Sequence, residues 1–263
     1  MRIATVNVNG VRAALTKGMG AWLEGAQADV VCLQEVRAPD DVVAAAFDGW
    51  QVLHQACEVK GRAGVAILSR HQLTAPVVGL PGVDATDPAH TGRWVEATVT
   101  GPAGPVRVVS VYVHSGTVDT PKMDQKYHFL DVMSARLDAL AAEHERVVVM
   151  GDINIAHTPR DLKNWKGNLK TAGFLPTERA YLDRWAEAGW VDVHRALVGE
   201  QDGPYTWWSQ RGRAFDTDTG WRLDYQWANP ALAQAATAAR VDKADAWDAR
   251  WSDHAPLVID YAL

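Results

Sequence analysis

Arg146-Val-Val-Val-Met-Gly-Asp152 is the stretch that decides the fold class. Four apolar residues in a row, with a charge at each end of the segment, predict a strand covered on both faces. Such a strand needs one layer above it and another below. Working outward, Trp94 to Thr100 and Val106 to Val113 read as strands, and so do Trp221 to Trp227 and Leu257 to Tyr261. Near the start, Arg2 to Val8 alternates: Ile3, Thr5, Asn7 and Asn9 share one face, and Ala4, Val6 and Val8 the other. Asp29 to Glu35 and Gly64 to Ser69 add two more strands. Helical spacing of apolar residues predicts helices over Val11 to Leu23, Gln125 to Ala142 and Pro176 to Trp190. His71 to Gly92, Asn154 to Phe174 and Gly199 to Gly220 read as working loops rather than domain joints. One α/β domain over residues 1–263 is expected, with sheets sandwiched between helices.

Composition narrows the function classes. The 263 residues carry 26 basic and 32 acidic side chains, a net charge of −6, with 48 % hydrophobic and 22 % charged residues. These values exclude a disordered chain, and the charge argues against a generic polycation that coats nucleic acid. A local basic rim around an acidic, metal-holding cleft remains compatible with them. The two cysteines, Cys32 and Cys57, form no CxxC pair, so a thiolate zinc site is not expected. Cys32 lies in an apolar run and reads as a buried thiol. No apolar stretch reaches the roughly 18 residues of a membrane span. The N-terminus runs straight into a strand, without the apolar core of a secretory signal. A cytoplasmic protein with no membrane association is expected. The twelve tryptophans read mostly as core.

Polar residues recur where the apolar strands end. Asn7 and Asn9 follow the first strand, and Glu35 ends the second. Tyr112 and His114 end the Val106 strand, and Gly151-Asp152-Ile153-Asn154 ends the Val147 strand. Asp224 falls within Trp221-Arg-Leu-Asp-Tyr225, and Ser252-Asp253-His254 precedes the last strand. Singly, each has a local structural explanation, such as an Asx turn or a capped strand end. Jointly they bring carboxylates, amides, a phenol and an imidazole to strand ends that can converge on one edge of a packed sheet. That inventory suits an oxygen-ligated Mg²⁺ and attack of water on a phosphate.

Seven motifs occur in order: Asn7 to Ala13, Leu33 to Glu35, Gly151 to His157, Asp161 to Asn168, Tyr205 to Trp208, Gly220 to Tyr225 and Ser252 to His254. Together they resemble the exonuclease III family of AP endonucleases over essentially the whole chain. The resemblance implies the DNase I-like fold, a four-layered α/β sandwich of two packed, mainly antiparallel sheets flanked by helices. It implies divalent-metal-dependent cleavage of double-stranded DNA 5′ to an abasic site. Exonuclease action from the 3′ end and repair of blocked 3′ ends would accompany it. Mg²⁺ would be the cofactor, with Mn²⁺ as a substitute, and the protein would act as a monomer.

The resemblance also implies roles. Glu35 would be the principal metal ligand, with Asn7, Asn9 and Asp253 beside it. Asp152 would activate the attacking water and Asn154 would hold it. His254, oriented by Asp224, and Tyr112 would stabilise the phosphate. Trp207, Trp221 and Leu223 would line a pocket for a flipped, base-free sugar. Asn168, Ser115, Arg12, Arg37 and Arg211 would contact the DNA. Lys60, Arg62, Lys122, Lys126, Lys163, Lys166, Lys170 and Arg213 would add salt-sensitive phosphate contacts. Val118 and Arg211 fall near the positions where some relatives insert wedge residues. Val113-His-Ser-Gly116 departs from the Val-Pro-Asn-Gly or Val-Pro-Asn-Ala of many relatives, so Ser115 stands where an Asn is usual. Two other readings remain: a phosphoesterase of the same fold acting on inositol lipids or sphingolipids, and a silent DNA-binding module. The Trp207/Trp221 pocket argues against the first, and the presence of Glu35, Asp152 and His254 against the second.

Overall fold

The computed structural model describes residues 1–84 and 87–263. The first sheet is built from β1 (Arg2–Asn7), β2 (Val30–Gln34), β3 (Gln51–Gln55) and β4 (Val65–Ser69). The second takes β5 (Leu73–Val78), β6 (Trp94–Gly101), β7 (Gly104–Tyr112), β8 (Val147–Asp152), β9 (Val191–Asp192) and β10 (Asp224–Ala228). The chain then returns to the first sheet with β11 (Ala236–Val241) and β12 (Leu257–Tyr261). The strand orders are β11-β12-β1-β2-β4-β3 and β5-β6-β7-β8-β10-β9. The β1–β2 and β7–β8 pairs are parallel and the other ladders are antiparallel. The α/β sandwich of two mainly antiparallel sheets is the architecture expected from the sequence.

Helices cover both outer faces. α1 (Val11–Thr16), α2 (Met19–Ala26) and α3 (Asp40–Ala46) lie on the first sheet, and α4 (Pro121–Glu143) and α5 (Pro176–Glu187) on the second. Three apolar layers result, and strand parity sorts residues among them. Ile3, Val30, Cys32, Val108, Val148 and Met150 meet between the sheets. Ala4, Val6, Val31 and Leu33 face the first helical layer, and Val109, Val111, Val147 and Val149 the second. The valine run at 147–149 is therefore apolar because β8 is covered twice.

The same parity places the polar strand ends. Asn7 shares a face with Ile3, Asp152 with Met150, Tyr112 with Ser110, and Asp224 with Gln226. All point between the sheets, where the apolar layer gives way to polar groups. Gln34 fills this transition, donating to Ser110 Oγ at 3.1 Å while Thr5 Oγ1 donates to Gln34 Oε1 at 3.2 Å. Gly151 makes the close approach of β8 to β7 possible: a Cβ there would lie 1.9 Å from the Val111 carbonyl oxygen.

Several sequence expectations need adjustment. The Val11 to Leu23 helix breaks in two, because Gly18 adopts a left-handed conformation with φ 113°. α4 begins earlier than expected, at Pro121, where Thr120 accepts from the Lys122 N–H and proline needs no donor. α5 stops at Glu187. The strand expected from Trp221 starts only at Asp224, and Trp221 pairs through isolated bridges to Leu162 and Trp207. The His71 to Gly92 stretch, described except for 85–86, holds edge strand β5. Four of its six residues are exposed and it contains Pro76, so no buried face marked it.

Candidate active site

The β1 and β2 ladders do not stop where the strands do. Val8 N–H donates to the Gln34 carbonyl at 2.9 Å, Gly10 N–H to Glu35 at 2.8 Å and Val11 N–H to Val36 at 3.0 Å. This pairing carries Asn7, Asn9, Glu35 and Arg37 to one rim. Asn9, Glu35, Arg37 and, across the rim, Asn154 have φ between 46° and 55°. Left-handed backbone at a Glu and an Arg is costly, and it persists only where surrounding bonds hold it.

Asn7 joins the two sheets. Its Nδ2 donates to Glu35 Oε1 at 2.8 Å and to Asp152 Oδ2 at 2.9 Å. The second Glu35 oxygen accepts from Arg37. Asp152 also accepts from the Asn154 N–H at 2.9 Å and from Asn154 Nδ2 at 3.2 Å. Asp253 accepts from Asn9 Nδ2 at 2.8 Å and from Trp207 Nε1 at 3.2 Å. Ser252 steadies this corner: its Oγ donates to the Asn7 carbonyl at 2.7 Å and accepts from the His254 N–H at 3.2 Å.

The buried imidazole of His254 lies between two carboxylates. Nδ1 is 2.8 Å from Asp224 Oδ2, and Nε2 is 3.7 Å from Asp152 Oδ2. Burial by itself would lower the His254 pKa, but Asp224, Asp152 and Asp253 outweigh it and raise it to about 10. Burial pushes the Asp152 carboxyl up to about 7 against the opposing pull of His254, and Asp224 and Glu35 push the same way. Burial raises the Tyr112 phenol well above its usual value, as do Glu35 and Asp152, so it stays protonated. The Arg93 guanidinium stacks 4.8 Å from the Tyr112 ring centre.

A cavity of about 730 Å³ opens onto these groups. Glu35, Tyr112, Asp152, Asn154, Asp253 and His254 line its polar side, and Trp207, Trp221 and Leu223 its apolar side. The Trp207 and Trp221 rings meet edge to face, with centres 6.2 Å apart. Trp208, the neighbour of Trp207, is fully buried in a separate cluster, as the sequence suggested. Thr206 anchors the pocket from behind, since its Oγ1 accepts from the Leu223 and Asp224 N–H groups at 3.0 and 3.1 Å.

The structure thus brings together most of the residues singled out in the sequence, including Ser115, Arg37, Lys170 and Val118 on the cavity wall. It does not bring in all of them. Asn168 Nδ2 donates to the Asn164 carbonyl at 2.9 Å, and Asn168 does not line the cavity. Arg12 and Arg211 are exposed and do not line it either. Lys126 is corrected outright: it is fully buried and cannot be a surface phosphate contact. Sequence reading placed Thr206, Ser252 and Asp161 in motifs but gave them no role. Buried Asp161 is bridged by Arg222 at 2.7 Å and Arg195 at 2.5 Å, which hold its carboxyl low against the upward push of burial. Its signal was a carboxylate inside the Asp161 to Asn168 motif.

Comparison with known proteins agrees with this geometry. The chain is 31 % identical over 258 residues to the exodeoxyribonuclease of Bacillus subtilis, covering 98 % of both. It is 30 % identical to the DNA repair nuclease APEX1 of Danio rerio, covering all of this chain and 83 % of the relative. Among solved structures, the 3′-5′ exonuclease NExo of Neisseria meningitidis superposes with a TM-score of 0.91 at 30 % identity over the full length of both chains. An AP endonuclease of Archaeoglobus fulgidus superposes at 0.87 with 28 % identity, again over both full lengths. Residues 4–254, from the first strand to the buried histidine, match the Endonuclease/Exonuclease/phosphatase family, and the chain belongs to that family.

Proposed function

We propose that the protein is a divalent-metal-dependent DNA phosphodiesterase that incises the strand 5′ to an abasic site and leaves a 3′-hydroxyl. The same site would also remove nucleotides or blocking groups from 3′ ends. The observation that carries this reading is the apolar pocket of Trp207, Trp221 and Leu223, set directly beside Asp152 and His254. A flipped sugar without its base fits a small apolar recess that would exclude an intact nucleotide. The activities named for the relatives in Bacillus and Danio support the DNA substrate.

The donor set fits Mg²⁺. Among the described residues no group of three His, Cys, Asp or Glu is arranged to hold a metal ion. Mg²⁺ needs less, because it keeps several waters and takes one or two carboxylates plus substrate phosphate. Glu35 would hold it, with Asp253 and the Asn7 and Asn9 amides nearby, and Mn²⁺ could replace it. Glu35, Asp152, Asp224 and Asp253 also gather negative charge that Arg37 and His254 only partly offset. When bound, the ion neutralises phosphate charge as a Lewis acid.

The remaining chemistry belongs to the chain. Water held by Asn154 attacks phosphorus and passes a proton to Asp152, whose raised pKa makes it a competent base. A new P–O bond forms, the P–O3′ bond breaks, and the departing 3′ oxygen takes up a proton. The cationic His254, kept so by Asp224, and the Tyr112 phenol donate to the non-bridging oxygens, where transition-state charge gathers. Arg37, Lys170 and Ser115 hold the strand from the cavity rim, while Arg12, Arg211 and Asn168 serve DNA further out.

The test is nicking of a labelled duplex holding one tetrahydrofuran abasic analogue, beside an intact duplex, with Mg²⁺ and with EDTA. Incision confined to the analogue and dependent on metal is expected. Cleavage only at the 3′ ends would move the specificity from the abasic sugar to strand termini.

A further inference from the structure

The two helices on the second sheet meet at a charged pair beneath the cavity floor. Lys126 of α4 and Glu178 of α5 are both fully buried, with Lys126 Nζ 2.5 Å from Glu178 Oε1. A buried ion pair adds little net stability, because lost hydration offsets the attraction. What distinguishes this pair is where its other hydrogen bonds go. Lys126 Nζ donates to the backbone carbonyls of Asn154 at 2.9 Å and Ser115 at 3.3 Å. Glu178 Oε2 accepts from the N–H groups of Gly173 at 2.7 Å and Leu175 at 3.0 Å.

Three separate segments are therefore anchored to one pair. They are the turn after β7 that carries Ser115, the turn after β8 that carries Asn154, and the 171–173 wall of the cavity. Apart from the ion pair itself, these bonds all go to backbone, so they set where each segment sits. The packing leaves little slack. A Cβ at Gly173 would lie 3.1 Å from the Asn154 carbonyl oxygen and 3.4 Å from the Trp221 ring. At Gly116, with φ 74°, a Cβ would lie 2.5 Å from Met123 Sδ and 3.2 Å from Lys126 Cδ of α4.

We infer that Lys126 and Glu178 form a positioning pair that holds the Asn154 turn and the Gly173 wall in register, keeping the sugar pocket at a fixed distance from the attacking water. Neither side chain touches substrate. The inference rests on the reading of the cavity as the site of an abasic sugar. It separates reaction geometry from simple binding: exposed cations on the rim would still capture DNA if the pair were broken.

Glu178→Gln and Lys126→Met test it, assayed as full-length protein with Mg²⁺ on the tetrahydrofuran duplex and on an intact duplex. Because the groups would be displaced by a fraction of an ångström to an ångström, kcat should fall by roughly ten- to a hundredfold. KM should stay within about threefold, and the preference for the analogue over intact nucleotides should shrink. A purely structural role would lower the melting temperature and leave kcat per folded molecule and that preference unchanged, which would overturn the inference. Glu178→Gln keeps the shape and one acceptor, so it carries the test if Lys126→Met does not fold. Amide hydrogen exchange gives a readout independent of catalysis. Faster exchange at Gly173 and Leu175 in Glu178→Gln, with β8 unchanged, is expected, and wild-type exchange there would also overturn the inference. Wild-type protein that fails to incise the analogue would refute the abasic reading instead, and the variants would then be judged on release of 3′-terminal nucleotides and on exchange.

Discussion

Asn7 and Asp152 lie 145 residues apart in the chain and are joined by a 2.9 Å hydrogen bond across the gap between the two sheets. The same Asn7 amide reaches Glu35 at 2.8 Å. One carboxamide thus links the proposed metal ligand on the first sheet to the proposed base on the second. The relative position of the two carboxylates is set by sheet packing rather than by a loop.

That arrangement makes Asp152→Asn a clean probe. The amide keeps the shape of the side chain and loses its capacity to take a proton. Incision of abasic duplex should fall by at least roughly a thousandfold, while binding of the same duplex, measured by gel shift, changes little. Near-normal turnover would remove Asp152 from the assigned role.

Glu35→Gln addresses the metal. In the native rim both Glu35 oxygens are already engaged, one by Asn7 and the other by Arg37. Gln keeps one acceptor but loses the charge that would hold the cation. The Mg²⁺ concentration giving half-maximal incision should rise by roughly tenfold or more, since second-shell and ligand changes commonly cost that much affinity. A superimposable metal titration would count against Glu35 as a ligand.

Much of this site was legible because strand parity is a rule with few exceptions. Once Ile3 is placed between the sheets, Asn7 must follow it there, and Met150 does the same for Asp152. Edge strands β3, β5 and β11 were not legible, since their half-exposed faces leave only weak alternation. Lys126 was misread as a surface cation although its spacing held the clue. It falls with Met123, Phe129, Leu130 and Met133 on the buried stripe of α4. Glu178 stands likewise with Tyr181, Leu182 and Trp185 on α5. A lone charge on an apolar helical stripe needs a buried partner, and each was the partner of the other. Asn168 went the other way: its motif suggested a site residue, while its amide is turned to a local backbone carbonyl.

Acid should destabilise the fold through two histidines that are neutral when folded. Burial lowers the pKa of His194 to about 3 and of His114 to about 2, whereas an unfolded histidine titrates near 6.5. Below about pH 6.5 the unfolded chain therefore binds protons that the folded chain does not. Stability is fully present above that pH and declines as pH falls toward 3, by up to about 1.4 kcal/mol per pH unit for each histidine. Among the described residues neither His194 ring nitrogen has a hydrogen-bond partner, so His194→Leu breaks none of the hydrogen bonds described. The variant should lose less melting temperature than the wild type between pH 7.5 and 5. Parallel curves would show that His194 does not drive the acid sensitivity.

Selectivity for the missing base is the sharpest consequence of the pocket. Trp207 is held on two sides, by its Nε1 donating to Asp253 and by edge-to-face packing on Trp221. Its ring is therefore a fixed wall rather than a mobile flap. A wall discriminates by refusing volume, so Trp207→Ala should admit a nucleotide that still carries its base. The ratio of kcat/KM for the tetrahydrofuran duplex to that for an intact or mismatched duplex should fall by roughly ten- to a hundredfold, the range that apolar steric pockets achieve. Loss of the hydrogen bond to Asp253 would lower the absolute rate as well, which is why the ratio and not the rate is the measure. Trp207→Phe separates the two effects, since it keeps much of the wall and drops the donor: its ratio should stay near wild type while its rate falls. An unchanged ratio in Trp207→Ala would mean that the base is excluded elsewhere, and the apolar recess would no longer explain recognition of an abasic sugar.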